Sequence, residues 1–464
     1  MLDLALGGFV AILMVLGARR PFLWVLAYLY IDIVSPQTFS WFLLSSIPIS
    51  LITFVAAFGG WLVADDKADS RFSMRQGLIL ALLIYCGITT LNAEFHEQAL
   101  DKWAWVWKAL LFAMFLPLTL RTRLRFEAVA LVMVLSAGAI IIGGSIKTLA
   151  TGGGYGSLSL FVNNNTGLYE SSIISCVSIA IIPLIVWLMK HGTIFPPEWR
   201  VRLFGIALIF ACLLIPIGTQ ARTGLLCIVL LALLSLRTVK RRFLYLAMAG
   251  AAVVVTVPFL PESYTARMST IENHESDQSA STRVAVWKWT IEYARDNPWG
   301  GGFMAYLGNK VRVELRKSES TGGQTQIATD DVEDQARAFH SSYFEMLGEQ
   351  GYPGLILWLW LMVSGLWQME RLYRRWRKRT GPDEQWQAPL AMALQQAQLV
   401  YMLGSVFVGI AFQPFCYMLI GLQIGLWSYL KRIEANRPEA VRQLPGLKLK
   451  PVMTPANVAK LEVP

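Results

Sequence analysis

The sequence predicts an all-α polytopic membrane protein of about 12 (12–13) transmembrane helices with one large outward-facing loop. Composition is the first observation: 55% of the 464 residues are hydrophobic and only 16% are charged, and the mean hydropathy is +0.47. A soluble chain is about a quarter charged, so this one could not cover its surface with polar groups. The second observation is a succession of apolar runs, each close to the roughly 20 helical residues that cross a bilayer core. The third is the placement of basic residues, which gather at every second connection between those runs. Seventeen Trp and thirty-six Gly fit the same class. Trp favours membrane interfaces, and Gly lets helices approach closely.

Taken in chain order, the candidate spans fall near 2–18, 21–34, 47–64, 76–92, 103–120, 126–147 and 168–190, then 202–218, 223–237, 243–260, 342–370, 388–411 and 415–430. Most are apolar on all sides rather than amphipathic, as helices of a lipid-embedded bundle are. The N-terminus does not read as a cleavable signal peptide, because no basic residue precedes the first run and Arg19-Arg20 follow it. Basic groups recur at Lys67/Arg71/Arg75, Arg121/Arg123/Arg125, Lys190/Arg200/Arg202, Arg237/Lys240/Arg241/Arg242, Arg371–Arg379 and Lys431-Arg432. The positive-inside rule makes these connections cytoplasmic. Loops 35–46, 93–102, 148–167, 219–222, 261–341 and 412–414 then face outward. Four regions follow: a helical bundle at 1–260, the large outward loop with an interfacial helix at 261–341, C-terminal spans at 342–430, and a polar cytoplasmic tail at 431–464.

The net charge of +10 is accounted for by this pattern and does not require nucleic acid. From Pro261 to Phe339 the loop holds nine basic and twelve acidic residues, so the basic excess lies on the cytoplasmic side. The five cysteines lie mostly inside apolar runs and form no Cys-x-x-Cys pair, which points to small buried apolar side chains. The four histidines are scattered without metal-ligand spacing.

Charges in or beside spans are costly and each needs a reason. Gly218-Thr219-Gln220-Ala221-Arg222-Thr223-Gly224 joins two spans with almost no loop and sets Arg222 at the outer interface. A guanidinium there either snorkels to lipid headgroups or sits in a polar cavity, where its five-donor fork suits phosphate oxygens. In the outer loop Ser281 or Thr282 is expected to cap a helix ending at Asn297-Pro298, with Val284, Trp287, Ile291 and Ala294 on one face and Arg283 at its N-terminus. Gly300-Gly301-Gly302 reads as a tight turn and only weakly as a phosphate cradle. His340 lies where the loop re-enters the membrane; neighbouring guanidinium groups would lower its pKa and keep it a base at neutral pH. Lys108, Lys147, Asn165, Gln220 and Arg337 are secondary candidates for binding the same anion or its sugars. The acidic run Asp330, Asp331, Glu333 and Asp334 before His340 is expected to be a solvated surface.

Three segments in this order resemble the O-antigen ligase and O-antigen polymerase superfamily: Thr-Gln-Ala-Arg-Thr-Gly around Arg222, the stretch from Arg283 to Gly302, and that from His340 to Gly354. Phe161-Val162-Asn163-Asn164-Asn165 is similar to the family's Asn-containing outer loop, and Arg19–Tyr30 with Ser35–Trp41 is similar to probable O-glycosylation ligases. The resemblance implies a lipid-donor, GT-C-like glycosyltransferase in the bacterial inner membrane, multi-pass, with its active site on the periplasmic side. It implies a metal-independent transfer of glycan from undecaprenyl pyrophosphate to an acceptor hydroxyl, for ligases proper a lipid A–core sugar. It implies no cofactor, Arg222 and Arg283 on the donor pyrophosphate, and His340 as general base. Ser341 departs from the Asn that many members carry. A polymerase or a protein O-glycosylation ligase with the same donor is the near alternative. A transporter of polyprenyl-linked or anionic substrates is the distant one, and would call for mid-membrane charges and inverted repeats.

Overall fold

The computed structural model describes residues 2–40, 42–67, 72–152, 167–238, 241, 242, 244, 247, 278–321 and 324–436. The N-terminal part is helical: α1 Leu2–Arg19, α2 Phe22–Val34, α3 Ile49–Ala64, α4 Met74–Leu91, α5 His96–Thr119 and α6 Arg123–Thr151. There follow α7 Ser171–Ala180, α8 Ile182–His191, α9 Trp199–Thr219 and α10 Arg222–Ser235. Helix α11 spans Gln278–Asp296, and after a hairpin come α12 Ser342–Trp376, α13 Gln387–Gly404 and α14 Pro414–Ala435. The expected span at 243–260 lies outside the described residues, apart from 244 and 247.

Local chemistry sets several boundaries. Ser73 and Gln76 close a reciprocal capping box at the start of α4, satisfying backbone donors that a helix start leaves open. Thr122 caps α6, which ends where Gly152 turns left-handed at φ 74°. Glu170 accepts the Ile173 N–H at the start of α7. Gln220 ends α9 at φ 52°, a conformation that L-residues other than Asn and Asp seldom adopt.

Among the described residues, four helices are both long and apolar enough to cross a bilayer: Met74–Leu91, Arg123–Thr151, Ser171–His191 and Trp199–Thr219; Phe22–Val34, Ile49–Ala64 and Arg222–Ser235 are shorter apolar helices. Helices α5 and α13 are more polar because they turn Lys102 and several glutamines toward other helices. Gln395, Gln396 and Gln398 of α13 are all buried. Large apolar side chains remain on the outside instead, among them Leu203, Phe204, Ile206 and Phe210 along α9 and Val229 and Leu233 along α10. That is the surface lipid would solvate.

Helix contact rests on small residues, since lipid supplies no hydrophobic drive for helices to pair. On α14, Gly421 and Gly425 lie one turn apart against α5. A Cβ on them would come within 2.9 Å of Leu116 and 2.6 Å of Leu120.

Three expectations are corrected here. The outer loop is not all helix and coil: Lys310–Thr321 (β1) pairs antiparallel with Gln324–Gln335 (β2), in register from Lys310↔Gln335 to Thr321↔Gln324. Val311, Val313 and Leu315 alternate before Gly322-Gly323, a hairpin pattern. Helix α11 begins at Gln278, so Ser281 and Thr282 lie inside it and Arg283 is not at its N-terminus. Its buried residues are Val286, Thr290 and Ala294, while Val284 and Ile291 are exposed; packing against α12 chose a different stripe of the same period. Arg75, expected in a cytoplasmic loop, is 1% exposed and donates to Gln423 Oε1 at 3.0 Å and to the Leu361 carbonyl at 3.3 Å. Neighbouring helices provide its Nη2 with two acceptors, and the side chain lies inward rather than toward water.

Candidate active site

At the end of the bundle expected to face outward is a cavity of about 550 Å³. Its walls come from the start of α5, the start of α7, the stretch around Met304 and Tyr306, the segment Ala338–His340, and residues 407–413. His340 is in the wall.

His340 sits at φ 47°, a left-handed conformation that costs of order 1–3 kcal/mol in a non-glycine residue and persists where surrounding contacts over-determine it. Those contacts are present on both sides. Before it, Phe339 is buried, its carbonyl accepts from Trp287 Nε1 at 2.9 Å, and its ring packs on Tyr306. Gly348 leaves room for that ring, because a Cβ there would meet Phe339 at 2.6 Å. After it, the Ser342 N–H donates to the Ser405 carbonyl at 2.8 Å. The Ser342 hydroxyl donates to Val408 and accepts from the Ile410 N–H. Trp287 also stacks on Phe344 at 4.9 Å, so α11 is pinned to both sides of the histidine.

Arg283 is one helical turn before Trp287 on α11 and acts electrostatically on His340, as does Arg337. The imidazole pKa is lowered to about 4, first by exclusion of water around it and then by the charges of Arg283 and Arg337. The ring is neutral at pH 7, as anticipated, although burial outweighs the guanidinium groups and Arg337 takes the part expected of Arg222. Arg337 pairs with Asp334 at 2.7 Å, which gives one member of the acidic run a local partner.

Arg222 opens α10 and is not among the residues lining the cavity. It is placed at the same end of the bundle. Thr219, three residues earlier, shares a 2.6 Å hydrogen bond with Ser175 of α7, and Ser172, one turn before Ser175, lines the cavity. Gln220 is buried. Lys108 lies elsewhere: its ammonium donates to Ser50 at 3.2 Å, so it belongs to the α3–α5 contact rather than to an anion site at the cavity. Lys147 is in the last turns of α6 and does not line the cavity either. Asn165 is outside the described residues. The backbone N–H groups of Gly301 and Gly302 donate to the carbonyls of Gly348 and Glu349 at 3.0 and 2.9 Å, so that turn docks on α12 and has no donors left for a phosphate.

A group not singled out from the sequence holds the floor. Lys102 bridges Glu345 Oε1 at 2.6 Å and Glu349 Oε2 at 2.7 Å. Glu345 Oε2 accepts the Ala411 N–H, and Glu349 Oε1 accepts the Met304 N–H, each at 3.0 Å. One buried triad thus ties α5, α12, the 300–305 turn and the 405–413 segment together. Its sequence signal was two carboxylates at i and i+4, which share a helix face; the partner, 243 and 247 residues away from them, gave none.

Fold and site together define a multi-pass helical membrane protein with a neutral imidazole and two guanidinium groups gathered at one end. Residues 206–359 match the family model described as O-antigen ligase, which supports placing this part of the chain in the O-antigen ligase superfamily. The match supports a ligase or polymerase type of function, carried out by a glycosyltransferase-like enzyme. Residues 1–193 match a family of unknown function (DUF5935). No curated protein matches the chain.

Proposed function

We propose that this protein is an inverting, metal-independent glycosyltransferase that moves a glycan from undecaprenyl pyrophosphate to an acceptor hydroxyl, with a lipid A–core sugar as the first acceptor to test. The working side is the periplasmic face of the bacterial inner membrane. The observation that carries the reading is the neutral imidazole of His340 in a cavity wall, under the charges of Arg283 and Arg337.

Transfer needs two things at once. The acceptor hydroxyl must lose its proton as its oxygen attacks the anomeric carbon, and the departing pyrophosphate must have its charge stabilised. His340 takes the proton. Arg283 holds the pyrophosphate, joined by Arg222 from the same end of the bundle and by Arg337; fixed charges in a partly dry site act without reorganising. The new bond joins acceptor oxygen to the anomeric carbon, the bond to the phosphate oxygen breaks, and attack from the opposite face inverts the centre. The donor is already activated, so no nucleotide is consumed.

The test is transfer by the purified full-length protein from undecaprenyl-pyrophosphate glycan to lipid A–core, protein and free glycan acceptors. His340→Ala abolishes transfer in protein that remains folded, Arg283→Ala and Arg222→Ala weaken donor binding, and chelators leave the rate unchanged. Normal transfer by the histidine variant overturns the base assignment, and unchanged donor affinity in both arginine variants overturns the clamp.

A further inference from the structure

We infer that the cavity walled by His340 is the acceptor subsite, and that it selects an uncharged, hydroxyl-rich sugar over one carrying phosphate. The inference rests on the glycosyl-transfer reading above and adds to it the chemical class of the acceptor.

The charges of the site are divided in space. Among the described residues the cavity lining holds four carboxylates, Asp101, Glu170, Glu345 and Glu349, against the single ammonium of Lys102, and no guanidinium. Lys102, Glu345 and Glu349 engage one another, so these three offer little to a ligand, and the carboxylates left to face one are Asp101 and Glu170. The arginines that act on His340 lie outside this lining. A phosphorylated sugar entering the cavity would set its charge against those of Asp101 and Glu170, and like charges brought together disfavour binding. Selection by repulsion of this kind is a common way for a site to reject a near relative of its ligand.

What the walls do offer is matched to a neutral carbohydrate. Ionised carboxylates only accept hydrogen bonds and hydroxyls donate them. Gln98 and Gln413 add amides that do both, and the ring of Trp105, 38% exposed, gives an apolar face beside them. The acceptor hydroxyl is the group that must meet the imidazole. It therefore occupies the cavity that contains the imidazole, and the pyrophosphate stays on the arginine side.

The test compares a neutral tetrasaccharide with the same tetrasaccharide bearing one phosphate monoester. Calorimetric binding to full-length protein in nanodiscs is measured first, then transfer from the lipid pyrophosphate donor. The neutral sugar is expected to bind at least about ten-fold more tightly, and Asp101→Asn, alone and with Glu170→Gln, to shrink that preference toward unity. Asp101 is exposed, so its variant does not depend on refolding a core. Equal or tighter binding of the phosphorylated sugar, or a preference indifferent to the substitutions, overturns the inference. Absence of transfer to either sugar, with the binding preference intact, overturns the enzymatic reading and with it the acceptor role. Transfer with the preference reversed overturns the inference alone.

Discussion

His340 has a pKa of about 4 and would be a weak base if nothing changed during the reaction. In the proposed reaction a donor pyrophosphate placed against Arg283 would offset one of the two charges that hold the imidazole down, and so would strengthen the base as the donor arrives. The sign can be followed in pH profiles. With His340 as the proposed base the neutral form would be the active one, so activity is expected to be lost as pH falls through the operative pKa. Because kcat/KM reports the free enzyme and kcat the substrate complex, the acid limb of kcat/KM is expected near 4, with that of kcat at higher pH. Arg283→Gln should raise the kcat/KM limb toward the ordinary histidine value without reaching it, since burial, the larger cause, remains. Coincident limbs for kcat and kcat/KM would show that the donor does not tune the base. The lowered pKa also links to stability: His340 favours the folded state fully above pH 6.5, and that contribution is lost as pH falls from 6.5 toward 4.

Among the elements, α12 decides the most. Its helix is interrupted at Gly351, φ 62° and ψ −167°, and the interruption receives the 298–302 turn: Tyr352 N–H donates to Pro298 at 3.0 Å alongside the Gly301 and Gly302 bonds. A side chain at Gly351 would strain its backbone and collide with the Pro298 carbonyl. Gly351→Ala is therefore expected to cost at least about 1–3 kcal/mol, read as a lowered thermal midpoint in detergent. An unchanged midpoint would mean that the turn is not held there. The hairpin behaves differently. Buried Asn309 clasps its base, giving its side-chain N–H to the Arg337 carbonyl at 2.6 Å and accepting the Arg337 N–H at 2.9 Å. Shortening the strands beyond Leu315 and Asp330 should leave the thermal midpoint unchanged, whereas Asn309→Ala should lower both midpoint and transfer rate. Much of this was legible in advance. The end of α11 at Asn297-Pro298 follows from proline's missing donor, and the motif from His340 to Gly354 contained the two glutamates. The stripe that α11 buries and the role of Lys102 were not legible, because both depend on which distant helix packs there.

For the whole molecule, the alternation of basic loops makes a prediction independent of chemistry. Alkaline phosphatase inserted between Thr321 and Gln324 should be active, and a fluorescent protein inserted after Arg379 should fold and fluoresce; the reverse pattern would invert the molecule. Arg75 shows where charge counting stops. It belongs to a basic connection in the sequence but ends 1% exposed among α12 and α14, since a lone residue is decided by its neighbours while the pattern of loops is decided by the membrane.

The clasp at Asn309 also bears on how such proteins diversify. A strand pair that is closed at its root, two residues from Arg337 and five from His340, can gain, lose or exchange its outer part without disturbing the backbone around either. The outer part of the hairpin and the wall of the cavity can therefore change independently of one another.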